Sequence, residues 1–311
     1  MRVVFLASGA FAIPSLEALV RAGHEVRALV TQPDRESGRG RALAPPKVKP
    51  VAERHGIEVL QLPRVRAPEA QAALRELRPE LQVVVAFGQI LPRAVIDIAP
   101  RGTVNVHASL LPRLRGAAPI QWAIANGDSE TGVTTMRIDE GLDTGPLLLS
   151  RATPIGPDET AAALEPRLAR LGGELLVETL AGLEQGTLEA VAQDASRASH
   201  APLLTKEHGR VDWSLPARTI ACRARGFHPW PGAFTQAEGR LLKLLRVRAA
   251  PRGPAAGEPG TVTEVDAEGV AVACGDGTLL RLEEVQPESR RAMPASAWAQ
   301  GAHLRPGVRL G

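Results

Sequence analysis

The sequence predicts an α/β protein: a mostly parallel sheet with helices on both faces, followed by a smaller β-barrel domain. Three observations predict it. Apolar, β-branched runs such as Leu81 to Phe87 alternate with helical spacings through the first half, and strands apolar along their whole length need cover on both faces. Near 188–206 the periodicity gives way to small polar residues, among them Gln193-Asp194-Ala195-Ser196-Arg197. Beyond it, short alternating segments are cut by Gly and Pro, the mark of a small barrel or sandwich. The implied organisation is a catalytic domain over 1–187, a linker over 188–206 and a C-terminal domain over 207–311.

The elements follow in order. Arg2 to Ala7 is an apolar strand that stops at Ser8-Gly9, and Phe11 to Ala22 carries helical spacing at Ile13, Leu16, Leu19 and Val20. Glu25 to Thr31 is a second strand, Ala67 to Leu77 a second helix, and Leu81 to Phe87 a central strand. Gly102 to His107 is a further strand, Ala118 to Ala125 a helix, Gly132 to Ile138 a strand, and Glu159 to Leu183 a long amphipathic helix. In the last third, Arg240 to Val247, Gly260 to Val265, Gly269 to Ala273 and Thr278 to Val285 are short strands. In such parallel sheets ligands gather beyond the carboxyl ends of the strands. His107 and Gly88 both sit at such ends.

The chain has 311 residues, enough for two domains. Its 44% apolar and 23% charged content is that of a globular protein. Cys222 and Cys274, the only two cysteines, are too isolated for a disulfide framework or a zinc site, and read as buried thiols in a reducing compartment. No run approaches the roughly twenty apolar residues of a membrane span, so a cytoplasmic location is expected. The net charge is only +3, but its distribution is uneven. Arg35, Arg39, Arg41, Lys47 and Lys49 crowd one segment against the single acid Glu36, and basic residues again exceed acidic ones after Thr205. This asymmetry fits a phosphate-bearing partner.

The first strand-to-helix turn, Ala7-Ser8-Gly9-Ala10-Phe11-Ala12, has one glycine of the G-x-G-x-x-G fingerprint, which argues against a dinucleotide site. The chemistry concentrates instead at Asn105 and His107. They stand two apart on a strand and share a face, and Asn126 is the only other asparagine in the chain. The Pro-punctuated run from Ser109 to Ile120 makes a poor helix and a poor strand, and suits a wall for a flat ligand. Downstream, Asp139-Glu140-Gly141-Leu142-Asp143-Thr144-Gly145 is a carboxylate-rich loop. An amide, an imidazole and a carboxylate are what a carbonyl-transfer site needs: a hold on the oxygen, a proton carrier and a group to orient it.

The runs NVHASLLPRLRGAAPIQWAI and GDSETGVTTMRIDEGLDTG resemble the folate-dependent formyltransferase family, whose signature is an Asn-x-His pair, a Ser-Leu-Leu-Pro loop and a downstream Asp. Within it, the likeness is to members that formylate an aminoacyl-tRNA. It rests on the basic segment Thr31 to Leu43, the run Arg115 to Ile120, and a β-rich C-terminal region entered through Val211 to Ser214 and Phe227 to Phe234. Members commonly carry a Gly-Thr-Pro-Asp-like run at the first turn, where this chain has Ala7 to Ala10.

The resemblance implies a Rossmann-like catalytic domain, an OB-like C-terminal domain, and transfer of a formyl group from 10-formyltetrahydrofolate to the α-amino group of methionyl initiator tRNA. It implies Asn105, His107 and Asp143 as the catalytic residues, with no metal. An α-amino group is substantially neutral at physiological pH, so the harder task is stabilising the oxyanion, assigned to Asn105 and protonated His107. Asp143 would orient His107 and help move the amine proton to the leaving folate nitrogen. The folate is expected against Ser109, Leu110, Leu111 and Pro112 and against the strand-end loop of Phe87, Gly88, Gln89, Ile90 and Leu91. Arg35, Arg39 and Arg41, with Lys206, Arg223 and Lys243, are the expected tRNA contacts. The chain is expected to act as a monomer. Two rivals remain: formyl transfer to a small amine on a nucleotide or amino sugar, and a tRNA-binding protein whose catalysis has lapsed.

Overall fold

The computed structural model describes residues 1–37, 42–250 and 257–311. The chain forms two compact units. The first comprises Met1–Pro119, Thr131–Pro154 and Glu165–Ala201, the second Ile120–Glu130, Ile155–Leu164 and Pro202–Gly311. The segment 188–206 read as a linker is divided between them.

In order, the first part of the chain runs β1 (Arg2–Ala7), α1 (Ile13–Arg21), β2 (Glu25–Thr31), β3 (Arg35–Ser37), β4 (Ala42–Ala44), α2 (Lys49–Arg54) and β5 (Glu58–Gln61). It continues through α3 (Pro68–Glu76), β6 (Leu81–Val85), α4 (Arg93–Ile96), β7 (Thr103–His107), α5 (Pro119–Ala125), β8 (Glu130–Arg137), β9 (Leu147–Pro154) and α6 (Ala161–Gln185). Seven strands make one sheet in the order β5-β2-β1-β6-β7-β8-β9. The pairs β5–β2, β2–β1, β1–β6 and β6–β7 are parallel, and β8 runs antiparallel to β7.

The sequence explains this layering. Val3 to Ala7 and all five residues of β6 are buried, as strands covered on both faces must be. On one face Val4, Leu6, Val30 and Val84 pack with Leu74 of α3 and with Val95 and Ile96 of α4. The other face takes α6, which comes so close at Gly172 that an added Cβ would lie 2.9 Å from Val106 Cγ1. Since Val106 faces α6, its neighbours Asn105 and His107 face the α3–α4 side. That alternation sets where the chemistry can occur.

The second part continues with α7 (Ala217–Gly226), β10 (Ala233–Ala237), β11 (Arg240–Ala250), β12 (Val262–Asp266), β13 (Gly269–Ala273), β14 (Leu279–Pro287), β15 (Met293–Pro294) and α8 (Ala295–Gly301). Its strands form an antiparallel sheet in the order β10-β11-β14-β13-β12, with β15 on β14. Its core gathers Trp213, Ile220, Leu242, Leu244, Val272, Leu280, Leu282 and Trp298, the inward positions of alternating strands closed off by α7 and α8. Both cysteines are free and buried, as expected.

Candidate active site

The site begins with two side chains on β7. Register places Asn105 beside Val84 of β6 and Met136 of β8, and His107 beside Thr134. Thr134 also shapes the following loop: its buried hydroxyl donates to Ser109 O at 2.7 Å and accepts from Leu111 N–H at 3.2 Å. The Ser109 hydroxyl donates to Arg113 O at 2.7 Å. The loop so closed turns Leu114, at φ +59°, back over the strand end.

His107 Nε2 lies 2.9 Å from Leu114 O. A carbonyl oxygen only accepts, so Nε2 carries the hydrogen and the tautomer is fixed. Nδ1 is then the ring atom left for chemistry, and it lies 3.6 Å from Asp143 Oδ2.

Asp143 comes from the loop between β8 and β9. Asp139 nucleates that loop by accepting from Gly141 N–H at 3.0 Å and from the Thr144 hydroxyl at 2.7 Å, an Asx-type turn. Gly145 permits its close return, since an added Cβ would sit 2.0 Å from Arg137 O. The Asp143 carboxylate accepts from Gly116 N–H through Oδ2 at 2.8 Å, and its Oδ1 lies 3.5 Å from Asn105 Nδ2. The predicted trio therefore converges around one carboxylate. Its long internal distances leave the Asn105 amide and His107 Nδ1 available to a ligand.

Beside this trio lies an open pocket of about 180 Å³, walled by Val84, Ile90, Leu91 and Met136 on its apolar sides and by Asn105, Asp139 and Asp143 on its polar side. Of the residues expected to hold the folate, Gln89, Ile90 and Leu91 line this pocket. The others stand differently. Phe87 is buried in the sheet core with Val4 and Leu6, and Gly88 supplies a left-handed turn at φ +76°. Ser109, Leu111 and Pro112 are buried in the closed loop, and Leu110 is half-buried against Gly132. Residues 138–142, which were not expected there, line the pocket as well. The first turn is spent on the fold: Ser8 and Gly9 N–H both donate to Ala86 O at 3.3 Å, so they are not a phosphate nest.

The expected tRNA contacts are spread over the chain. Arg35 is exposed on β3 and donates to Gln32 Oε1 at 2.9 Å, while Arg39 and Arg41 lie outside the described residues. Lys206 and Lys243 are exposed and Arg223 is half-buried on α7. Lys243 shares β11 with Arg246 and Arg248, which both pair with Glu283.

Residues 1–180 match the family model described as formyl transferase, and 203–303 match its C-terminal domain. The chain belongs to the formyl transferase family. A methionyl-tRNA formyltransferase of Geobacter metallireducens is 50% identical over 311 residues, covering all of this chain and 99% of its own length. One from Anaeromyxobacter dehalogenans is 53% identical over 312 residues, covering all of both chains. Among solved structures, the sugar 3N-formyl transferase WlaRD shares the fold of this formyltransferase at a TM-score of 0.68 and 16% identity, covering 94% of this chain and 99% of its own. HypX from Aquifex aeolicus, solved with tetrahydrofolic acid, aligns at a TM-score of 0.62 and 19% identity over 96% of this chain and 47% of its own.

Three groups that complete the site were not legible in the sequence. The Leu114 carbonyl and the Gly116 amide are backbone atoms, though both fall in the Asn105 to Ile124 run that carried the family likeness. Gln193 comes from the segment read as a linker. Its amide donates to Asp143 O and Gly145 O, each at 2.8 Å, and accepts from Arg115 at 2.7 and 3.1 Å. No periodicity or motif points to it.

Proposed function

We propose that this formyltransferase moves the formyl group of 10-formyltetrahydrofolate to the α-amino group of methionyl initiator tRNA, in the cytoplasm. The observation that carries the chemistry is the convergence of Asn105 and His107 on Asp143, with Asn105 and Asp143 lining one pocket. The acceptor is supported by full-length relatives named for methionyl-tRNA.

The pocket suits a flat, partly polar cosubstrate: apolar side chains wall two sides, and the 138–142 backbone offers hydrogen bonds at the edge. Ile90, Leu91 and Met136 would hold it, and it supplies the formyl group. The chain's own groups do the rest. Asn105 Nδ2–H and His107 Nδ1–H, with the imidazole charged, both turn to the formyl oxygen as the amine attacks. A donor of this kind lowers the barrier by about 3–4 kcal/mol. The Leu114 carbonyl keeps Nδ1 aimed at the reacting centre. As the carbon–nitrogen bond forms, the Asp143 carboxylate takes the proton of the attacking amine and delivers it to the nitrogen that leaves.

Asn105→Ala and His107→Ala should each reduce kcat by about 10²–10³-fold while tRNA binding stays near that of the parent. Single-turnover formylation alongside filter binding reads both. Unchanged turnover in the His107 variant would remove that residue from the mechanism.

A further inference from the structure

The catalytic carboxylate is held from a distant part of the chain. Asp143 sits in a left-handed conformation, φ +52°, that a non-glycine residue keeps only when its surroundings impose it. Its carboxylate has one backbone donor, Gly116 N–H. The peptide carbonyls of Asp143 and Gly145 are both taken by a single side chain, the Gln193 amide, at 2.8 Å each. That amide is itself pinned, because Arg115 grips its oxygen through Nε at 3.1 Å and through a terminal nitrogen at 2.7 Å. Arg115 is buried and directly precedes Gly116 and follows Leu114, whose main chains hold Asp143 and His107.

We infer that Gln193 is a positioning residue for the formyl transfer, and that Arg115 and Gln193 together form a clamp setting the Asp143 carboxylate against His107 and Asn105. The inference rests on the catalytic reading of Asp143 given above. The chemistry of an amide suits the task. Its two N–H groups meet two carbonyls, while its oxygen faces a guanidinium, so each end is matched to its partner. Glutamate at 193 would keep the grip of Arg115 but set an acceptor against two carbonyl acceptors. The 143–145 turn would then be released without loosening the anchor.

The test is Gln193→Glu, measured alone and combined with Asp143→Asn. The expected result is a kcat lower by about 10–100-fold, the cost of a small misplacement at a reacting centre. KM for tRNA should stay within about twofold, and the melting temperature should not fall. Because Gln193 acts through Asp143, adding Gln193→Glu to Asp143→Asn should cost nothing more. A Gln193→Glu enzyme with parental kcat, or losses that multiply in the double variant, would overturn the inference. Should Gln193→Glu fail to fold, Arg115→Lys decides. It keeps the charge but not the two-pronged grip, and should lower kcat by a smaller factor that also vanishes in the Asp143→Asn background. A parent enzyme inactive toward methionyl-tRNA would instead defeat the functional reading itself, so the two failures are distinct.

Discussion

In the proposed mechanism, Asp143 serves both fold and chemistry. Its left-handed backbone turns the carboxylate inward, and asparagine tolerates that conformation nearly as well as aspartate. Asp143→Asn should therefore keep the melting temperature of the parent, yet lower kcat by orders of magnitude because the proton acceptor is gone; differential scanning calorimetry beside a turnover assay checks both. Cys274 shows the opposite case, a chemically capable group silenced by its surroundings. Burial pushes its thiol up to about 12, against a weaker opposing pull from a main-chain hydrogen bond at Leu280. The thiolate is the reactive form, so Cys274 should stay unlabelled by maleimide at pH 8 until the protein is unfolded. Mass spectrometry that finds it modified in the folded enzyme at the rate of a free thiol would contradict this. Asn105 and His107 were legible because strand alternation is strict. Gln193 was not, because nothing in a run of small polar residues says which amide will meet which carbonyl.

The elements that the sequence announced are the buried ones. β1 and β6 are buried and almost wholly apolar because helices cover both faces, and such runs are hard to mistake; β7 alternates its two valines with Thr103, Asn105 and His107. The elements that it hid lie at edges or are built from small residues. β5 and β9 are the outer strands of the seven-stranded sheet; β5 has one exposed and three half-buried residues, and β9 mixes Ser, Arg, Thr and Pro. α7 buries mostly alanines, at 217, 221 and 224, so its apolar stripe is faint. α6 was legible as a helix, but its glycines have a meaning only the packing reveals. At Gly173 an added Cβ would sit 2.8 Å from Pro14 O and 3.0 Å from Pro14 C. Gly to Ala within a helix ordinarily gains about 1 kcal/mol. Here the backbone of α1 cannot yield as a side chain would, and overpacking costs about 1–3 kcal/mol. Gly173→Ala should thus destabilise the protein in urea titration, whereas a stabilised variant would show that α6 sits farther from α1 than described.

At the scale of the molecule, the trio proposed for catalysis lies wholly in the first unit. The contacts proposed for a large phosphate-bearing acceptor are the basic segment from Arg35 to Lys49 and, in the second unit, Lys206, Arg223 and Lys243. Removing one phosphate contact should weaken tRNA binding for every sequence alike and lower the slope of log affinity against log salt by about one. Arg41→Ala and Lys243→Ala, titrated across salt, read that slope; parental slopes would remove them from the interface. The acceptor separates the proposed function from its rivals. Its most direct measurement gives the purified protein labelled 10-formyltetrahydrofolate with methionyl initiator tRNA or with an amino sugar nucleotide, and follows the label. The account predicts label on the α-amino group of methionine in the tRNA and none on the small amine. Label on the small amine alone would contradict it.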